Sequence, residues 1–283
     1  MKDLRGKVAV VTGAASGIGR GLSQALAAEG CHLALSDIDE GGLAETAALV
    51  EMAEGRVTTH RLDVADRKAV YAHSDEVLAA HGHADIVINN AGVTVIESLE
   101  EVTFEDFEWV MGINFWGVVY GSKAFLPHLR TRPESSLVNI SSVNAFLPFP
   151  HNGPYNCSKY AVCGFNETLH QELAGTSVVV SSVHPGGVRT NVARNSRFRR
   201  HLSPAVTAET AAQTFERMAR TSSKDAARTI VAGIRKKKHR ILVGADAYVI
   251  EAMKRIAPES SVGITAWLMR RLAQQKQDRS PGR

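Results

Sequence analysis

Tyr155 and Lys159 stand four residues apart in a stretch with helical patterning, with Ser142 thirteen residues upstream of the tyrosine in a polar loop and Asn114 earlier still. A phenol normally loses its proton near pH 10 and is a poor base at neutral pH. An ammonium one helical turn away changes that. At roughly 4 Å and an effective dielectric of about 20 the attraction is about 4 kcal/mol, or about three pKa units. Such a tyrosine can exchange a proton with an alcohol. The pair alone equally fits an exposed polar helix face, so its meaning depends on what surrounds it.

The chain opens with an apolar, β-branched run from Lys7 to Val11 that passes directly into Thr12-Gly13-Ala14-Ala15-Ser16-Gly17-Ile18-Gly19. That order reads as strand, glycine turn and then an amphipathic helix from Ile18 to Ala28 with Leu22, Ala25 and Leu26 on one face. Glycines there let the backbone approach a pyrophosphate, and the helix start behind them offers unpaired N–H groups and a positive dipole end. The spacing is G-x-x-x-G-x-G, so the usual dinucleotide fingerprint G-x-G-x-x-G is not met. A second apolar strand, His32 to Leu35, leads to Asp37, whose carboxylate can accept from both hydroxyls of an adenosine ribose. Ile38 follows, so no basic neighbour stands ready for a 2′-phosphate.

Strand patterns recur at 7–12, 31–36, 56–62, 84–89, 135–141, 177–184 and 240–243. Helical patterns fill the gaps at 17–29, 40–54, 66–81, 103–131 with a break near Asn114, 153–174, 207–219 and 223–237. This alternation predicts an α/β fold with one doubly wound parallel sheet covered by helices on both faces. Ligands then belong at the carboxyl ends of the strands, where the chemistry-bearing residues lie. A length of 283 residues with 44% hydrophobic content fills one such domain, expected over 1–244, with a helical extension over 245–283 packed on or beside it.

These pieces together resemble the short-chain dehydrogenase/reductase family of NAD(P)-dependent oxidoreductases from about Lys7 to Gly244. The resemblance rests on the Thr12 to Gly19 turn, Asp63-Val64, Asn89-Asn90-Ala91-Gly92, Asn114, Ser142, Tyr155 with Lys159, and Pro185-Gly186 with Thr190. It implies Tyr155 as general acid/base, Ser142 as hydrogen-bond partner of the reacting oxygen, Lys159 as ribose ligand and helper of the phenol, and Asn114 as holder of a relay water. It also implies that Gly13, Ser16, Gly17, Ile18 and Gly19 cradle the cofactor phosphates, Asp37 the adenosine ribose, and Asp63 and Val64 the adenine. Asn90, Ala91 and Gly92 line the ribose, and Pro185, Gly186, Val188 and Thr190 border the nicotinamide. Ser142, Asn144, Phe149, Tyr155, Gly187 and Val192 fall to the substrate side. The expected activity is hydride transfer between NAD, preferred over NADP, and a hydrophobic secondary alcohol or ketone. The alternative is a catalytically idle dinucleotide-binding sensor or scaffold, which has no chemical need for all four of Asn114, Ser142, Tyr155 and Lys159.

The formal charge of +4 is modest and no nucleic-acid motif accompanies it, so the basic run Arg235 to Arg240 reads as a solvated helix end. No apolar run is long enough to span a bilayer, and the first strand begins too early to leave room for a signal peptide, which points to the cytoplasm. Cys31, Cys157 and Cys163 show no pairing or metal spacing and read as reduced, packed thiols. The eleven histidines show no ligand spacing and no metal is expected; His81-Gly82-His83 reads as a helix end and turn.

Phe146 to Asn152 reads either as an apolar wall of a substrate pocket or as residues packed under their own loop. The segment Asn191 to Pro204, with Arg194, Arg197, Arg199, Arg200 and His201, reads as a lid whose arginines face solvent or attract an acidic or phosphorylated substrate. Two amphipathic helices follow, Ala245 to Ile256 and Ser261 to Gln275, with disorder expected from Gln277. They suit a cap over the cleft or a subunit contact in a homodimer or homotetramer, with peripheral contact to an anionic membrane or a mostly solvated tail as the alternatives.

Overall fold

The computed structural model describes residues 1–50, 55–190, 192, 196–199 and 207–267. The first half contributes β1 (Val8–Thr12), α1 (Gly17–Ala28), β2 (His32–Asp37), α2 (Glu40–Val50), β3 (Val57–Arg61), α3 (Arg67–His81), β4 (Ile86–Asn89), the two-residue β5 (Val95–Ile96) and α4 (Phe104–Met111). A π-helical turn, Gly112–Trp116, joins α4 to α5 (Gly117–Leu129), and β6 (Ser135–Ile140) follows. After a 3-10 turn at Val143–Ala145 come α6 (Gly153–Glu172), β7 (Val178–Pro185), the short β8 (Val188–Arg189) and β9 (Arg197–Phe198), and α7 (Ala208–Met218). The chain then forms β10 (Thr221–Ser222), α8 (Ser223–Arg235), β11 (Arg240–Val243) and α9 (Ala245–Ile256), with helix again over 260–267.

Seven parallel strands form one sheet in the order β11-β7-β6-β4-β1-β2-β3. Its central strands alternate between two cores, as period 2 demands. Ala9 and Val11 of β1 and Ile86 and Ile88 of β4 join Leu22, Leu26 and Ile230 from α1 and α8 on one face. Val10 and Val87 join Val70, Val77, Phe125, Leu129 and Leu169 from α3, α5 and α6 on the other. Burial on both faces is why these strands carry nearly unbroken apolar runs.

The chain leaves β1 toward β2 on one side, while β4 pairs on the other. That reversal opens a crevice at the carboxyl ends of β1 and β4. Asn90 ties the two strand ends together: its Nδ2 donates to the Thr12 and Gly13 carbonyls at 2.9 and 3.1 Å. The Asn90 and Ala91 amides both donate to Thr12 Oγ1.

The extension from 245 docks on the sheet domain: Ala247 of α9 packs with Val143, Phe146 and Leu242. The expected helix beyond residue 267, the disorder expected from Gln277, and residues 191, 193–195 and 200–206 of the expected lid lie outside the described residues. So does the end of the second helical pattern, residues 51–54.

Candidate active site

The glycine turn is shaped by contacts that exclude side chains. A Cβ on Gly19 would stand 2.0 Å from the Gly13 carbonyl oxygen, and one on Gly13, which holds φ +67°, would stand 2.8 Å from the Ala91 Cα. Ser16 sits at the N-cap of α1 in extended conformation and makes no capping bond with its hydroxyl. The first N–H groups of α1 are thus left without a side-chain cap, as a phosphate-binding helix start requires. Ile18 packs on the core from the same turn. Asp37, at the end of β2, accepts from the Ala15 amide at 2.9 Å and the Asp39 amide at 3.0 Å. A carboxylate offers about four acceptor sites, so capacity for a ribose remains. Asp63 accepts from the Ala65 amide and is exposed, while Val64 is buried against Gly117. Thr190 faces Gly17 across the crevice, where a Cβ on the glycine would come within 3.3 Å of the threonine Cβ.

The helical break expected near Asn114 is the π turn, a distortion often found at functional sites. It buries Asn114 fully. There the amide pairs with the Val93 backbone in both directions, at 2.8 and 2.9 Å, and donates to Ser158 Oγ at 3.1 Å. A Cβ on Gly92 would lie 3.4 Å from Asn114 Oδ1 and 3.6 Å from Lys159 Nζ, so both side chains border the space above that glycine.

Ser142 follows β6 and caps the 3-10 turn, its hydroxyl accepting from the Asn144 amide at 3.1 Å and donating to Asn144 Oδ1 at 3.2 Å. Tyr155 stands half-buried in the first turn of α6, beside Pro154. The Ser142 hydroxyl lies close enough to its phenol to draw the phenol's pKa down. Lys159 is buried, and its Nζ donates to the Ile140 carbonyl at 2.9 Å and lies 5.5 Å from the Tyr155 ring centre. The expected depression of the phenol is not the balance found. Burial pushes the Tyr155 phenol up, with the Ser142 hydroxyl opposing it. Burial also pulls the Lys159 ammonium down to about 8. The ammonium is turned toward the strand end and loses solvent without gaining a counter-charge.

The loop after Ser142 divides between the two alternatives. Phe146 and Leu147 are buried, with Phe146 stacked on His184, whereas Pro148 and Phe149 stay half-exposed. Asn144 Nδ2 donates to Asn156 Oδ1 at 2.7 Å, which steadies the loop over α6. Val192 is a half-buried turn residue. Cys157 is exposed on α6 and is not a packed thiol, because its position on the helix turns away from the face that buries Ser158, Lys159 and Val162.

Two carboxylates matter that the sequence reading did not single out. Asp246, in the first turn of α9, accepts from the Gly187 amide at 2.6 Å. A Cβ on Gly186 would collide with it at 2.3 Å, so the Pro185-Gly186-Gly187-Val188 turn is braced by the extension. Asp106 of α4 is buried, and Arg197 and Arg199 grip it at 2.9, 2.8 and 3.2 Å. Those bonds hold its carboxyl below the usual range. The Arg197 guanidinium also lies 3.7 Å from the Trp109 ring centre. Arg197 is half-exposed and Arg199 exposed, yet both are committed to Asp106, a carboxylate of this chain. β9 pairs with β5 beside this clamp.

Residues 7–200 match the family described as short chain dehydrogenase. SadH of Mycobacterium tuberculosis, an oxidoreductase by name, is 43% identical over 263 residues, covering 92% of this chain and 94% of its own. The L-2,3-butanediol dehydrogenase of Corynebacterium glutamicum is 36% identical over 189 residues, or 66% of this chain and 73% of that one. A short chain dehydrogenase/reductase from Burkholderia phymatum, solved in complex with NAD, superimposes with a TM-score of 0.82 at 33% identity, covering 92% of this chain and 96% of that one. The crevice, with its glycine cradle, open helix start and acidic β2 end, fits the dinucleotide that such proteins bind. The chain belongs to the short-chain dehydrogenase family of NAD(P)-dependent oxidoreductases.

Proposed function

We propose that this protein is an NAD(H)-dependent oxidoreductase for a hydrophobic secondary alcohol or its ketone, with Tyr155 as general acid/base. The observation that carries the reading is that Asn114 and Lys159 border one space beside Gly92 while the Tyr155 ring lies 5.5 Å from Lys159 Nζ with Ser142 near its phenol, next to a crevice shaped for a dinucleotide. Nicotinamide, when bound, supplies the hydride chemistry. Tyr155 takes the hydroxyl proton of an alcohol, or returns it to a carbonyl oxygen. Ser142 turns its hydroxyl from the long bond with Asn144 to that same oxygen and steadies its developing charge. Lys159, anchored on the Ile140 carbonyl, offers its remaining N–H donors to ribose hydroxyls. Asn114 holds a water beside Lys159 in a proton relay.

Phe149 and Pro148 give the pocket an apolar wall, and the butanediol dehydrogenase relative supports a secondary alcohol as substrate class. We assign NAD as the preferred cofactor on Asp37. Unpaired cysteines suit a reducing compartment such as the cytoplasm. Exposed Leu99, Phe104 and Trp116 suit a subunit contact. Among the described residues no helix is long and apolar enough to cross a membrane.

The test is to mix the protein with NAD and a panel of secondary alcohols and follow absorbance of the reduced nicotinamide. Reduction with apolar alcohols is expected. Tight NAD binding without turnover on any alcohol or ketone would favour the idle dinucleotide-binding reading.

A further inference from the structure

His73 of α3 is 3% exposed, and neither of its ring nitrogens has a hydrogen-bond partner among the described residues. Leaving a buried polar atom unpaired costs about 1–3 kcal/mol. Such a side chain asks for a ligand. The ring does not stand alone. It meets His60 of β3 in a T-shaped contact with centres 4.7 Å apart, and Glu76 follows on the same helix face three residues later. One donor atom from each of His60, His73 and Glu76 lies within 4.8 Å of the other two.

The partners of His60 are already arranged as a metal ligand's would be. Its Nδ1 lies 3.0 Å from Glu76 Oε2, and its Nε2 lies 3.1 Å from Thr58 Oγ1, which in turn lies 3.0 Å from His81 Nε2. With Nδ1 on an ion, Nε2–H donates to the threonine and the hydroxyl donates to His81. An outer hydrogen bond of that kind fixes the tautomer and orientation of a ligating imidazole. Bond lengths of about 2.0–2.2 Å at tetrahedral angles put ligand atoms about 3.3–3.6 Å apart, so a modest side-chain rotation of His73 closes the set.

We propose that His60, His73 and Glu76 form a binding site for a divalent transition ion of the zinc type, joining the edge strand β3 to α3. Two imidazoles and one carboxylate suit a borderline ion, whereas calcium and magnesium prefer oxygen ligands. A neutral imidazole has a lone pair on whichever ring nitrogen lacks a proton, and both His73 nitrogens are unpartnered. A lone pair is therefore available. Glu76 is exposed, so solvent can complete the coordination sphere. The site lies on β3 and α3, apart from Tyr155 and Ser142, and its role is structural: β3 is the edge strand with a neighbour on one side only, and the ion ties it to a helix packed on the sheet face. Its ligands come from two elements and are thirteen residues apart at the nearest point between them, so no local spacing betrays it.

The experiment uses untagged full-length protein stripped with EDTA and titrated calorimetrically with zinc chloride, with cobalt(II) absorption as a second probe. We expect one zinc per chain, a melting temperature raised by zinc, and affinity at least about tenfold weaker in Glu76→Gln and in His60→Asn. Both positions keep solvent-exposed surface, so these variants test the site even where His73→Leu fails to fold. Absence of zinc uptake by the unmodified chain, or weakening of less than about tenfold in both variants, overturns the proposal.

Discussion

His184 Nδ1 lies 3.2 Å from the Ser142 carbonyl oxygen, so the loop that carries the candidate catalytic serine hangs on a buried imidazole from β7. That nitrogen must donate, which leaves Nε2 to accept from the Ser182 hydroxyl at 2.9 Å. Ser182 accepts from Asn166, Asn166 from Asn139 and Asn139 from Asn89, at 3.0, 2.6 and 2.7 Å. The chain of donors runs one way across the sheet and requires neutral His184.

Acid should therefore destabilise the protein through this residue. Burial lowers the His184 pKa from 6.5 to about 4, against the smaller upward pull of the Ser142 carbonyl. A folded-state value below the unfolded one means that the unfolded chain takes up the proton first. The contribution is fully present above about 6.5 and is lost as pH falls toward about 4. Between pH 6.5 and 5 the unmodified protein should lose about 2 kcal/mol more than His184→Gln. Urea denaturation at several pH values reads this difference; parallel curves for the two proteins would remove the assignment.

Tyr155→Phe should abolish nearly all turnover while NAD affinity stays close to that of the unmodified protein, because the proposed mechanism makes the phenol oxygen the proton carrier and the ring packing is kept. Steady-state rates paired with a cofactor titration check both halves. Substantial residual turnover would assign the proton to another group.

Lys159→Ala should lower turnover and also weaken NAD binding, since it removes the ammonium beside the phenol and a donor to the ribose. The Ile140 carbonyl loses a bond as well, so a melting curve must accompany the assay. Unchanged cofactor affinity together with an unchanged basic limb of the pH profile would count against both roles.

Much of this arrangement was legible because it is local. Runs such as Val8 to Val11 are buried on both faces, and each strand boundary expected from them lies within two residues of the observed one. Gly82 ends α3 in the left-handed conformation, as its place between two histidines suggested. What was hidden spans long stretches of chain. The Ser142–His184 bond crosses 42 residues, the Gly187–Asp246 bond 59, and the Asp106 clamp 91 and 93. An aspartate in a helix's first turn reads as a dipole partner, and nothing nearby marks Asp246 as the brace of a glycine turn. The expected pKa of Tyr155 failed for a related reason: helical spacing places Lys159 one turn away but says nothing about Ile140, which claims the ammonium.

Asp106→Asn should release the β9 segment, because an amide cannot serve two guanidinium groups as the carboxylate does. Faster limited proteolysis near Arg197 and Arg199 is the expected result, with a raised KM for substrate and little change in melting temperature. Equal cleavage rates in the two proteins would show that the pairing with Val95 and Ile96 holds the segment unaided.

Cofactor choice turns on Asp37. Its carboxylate already accepts two backbone amides, which fixes it at the end of β2 with lone pairs left for ribose hydroxyls. A 2′-phosphate would meet it as a like charge. Ile38 is exposed and offers no compensation. Arg20 is the nearby cation to consider, lining a cleft of about 460 Å³ with Ser16, Gly17 and Asp39. Its guanidinium is committed to the Ala15 and Gly42 carbonyls, Glu45 and Thr46. Arg61 lies 3.8 Å from Glu40. Even a few kcal/mol of repulsion amounts to two or more orders of magnitude at about 1.4 kcal/mol per tenfold. NAD should therefore bind at least about a hundredfold more tightly than NADP, and Asp37→Ala combined with Ile38→Arg should shift preference toward NADP. Fluorescence titration of both cofactors decides it: equal or tighter NADP binding by the unmodified chain would mean that Arg20 leaves its four acceptors for the phosphate.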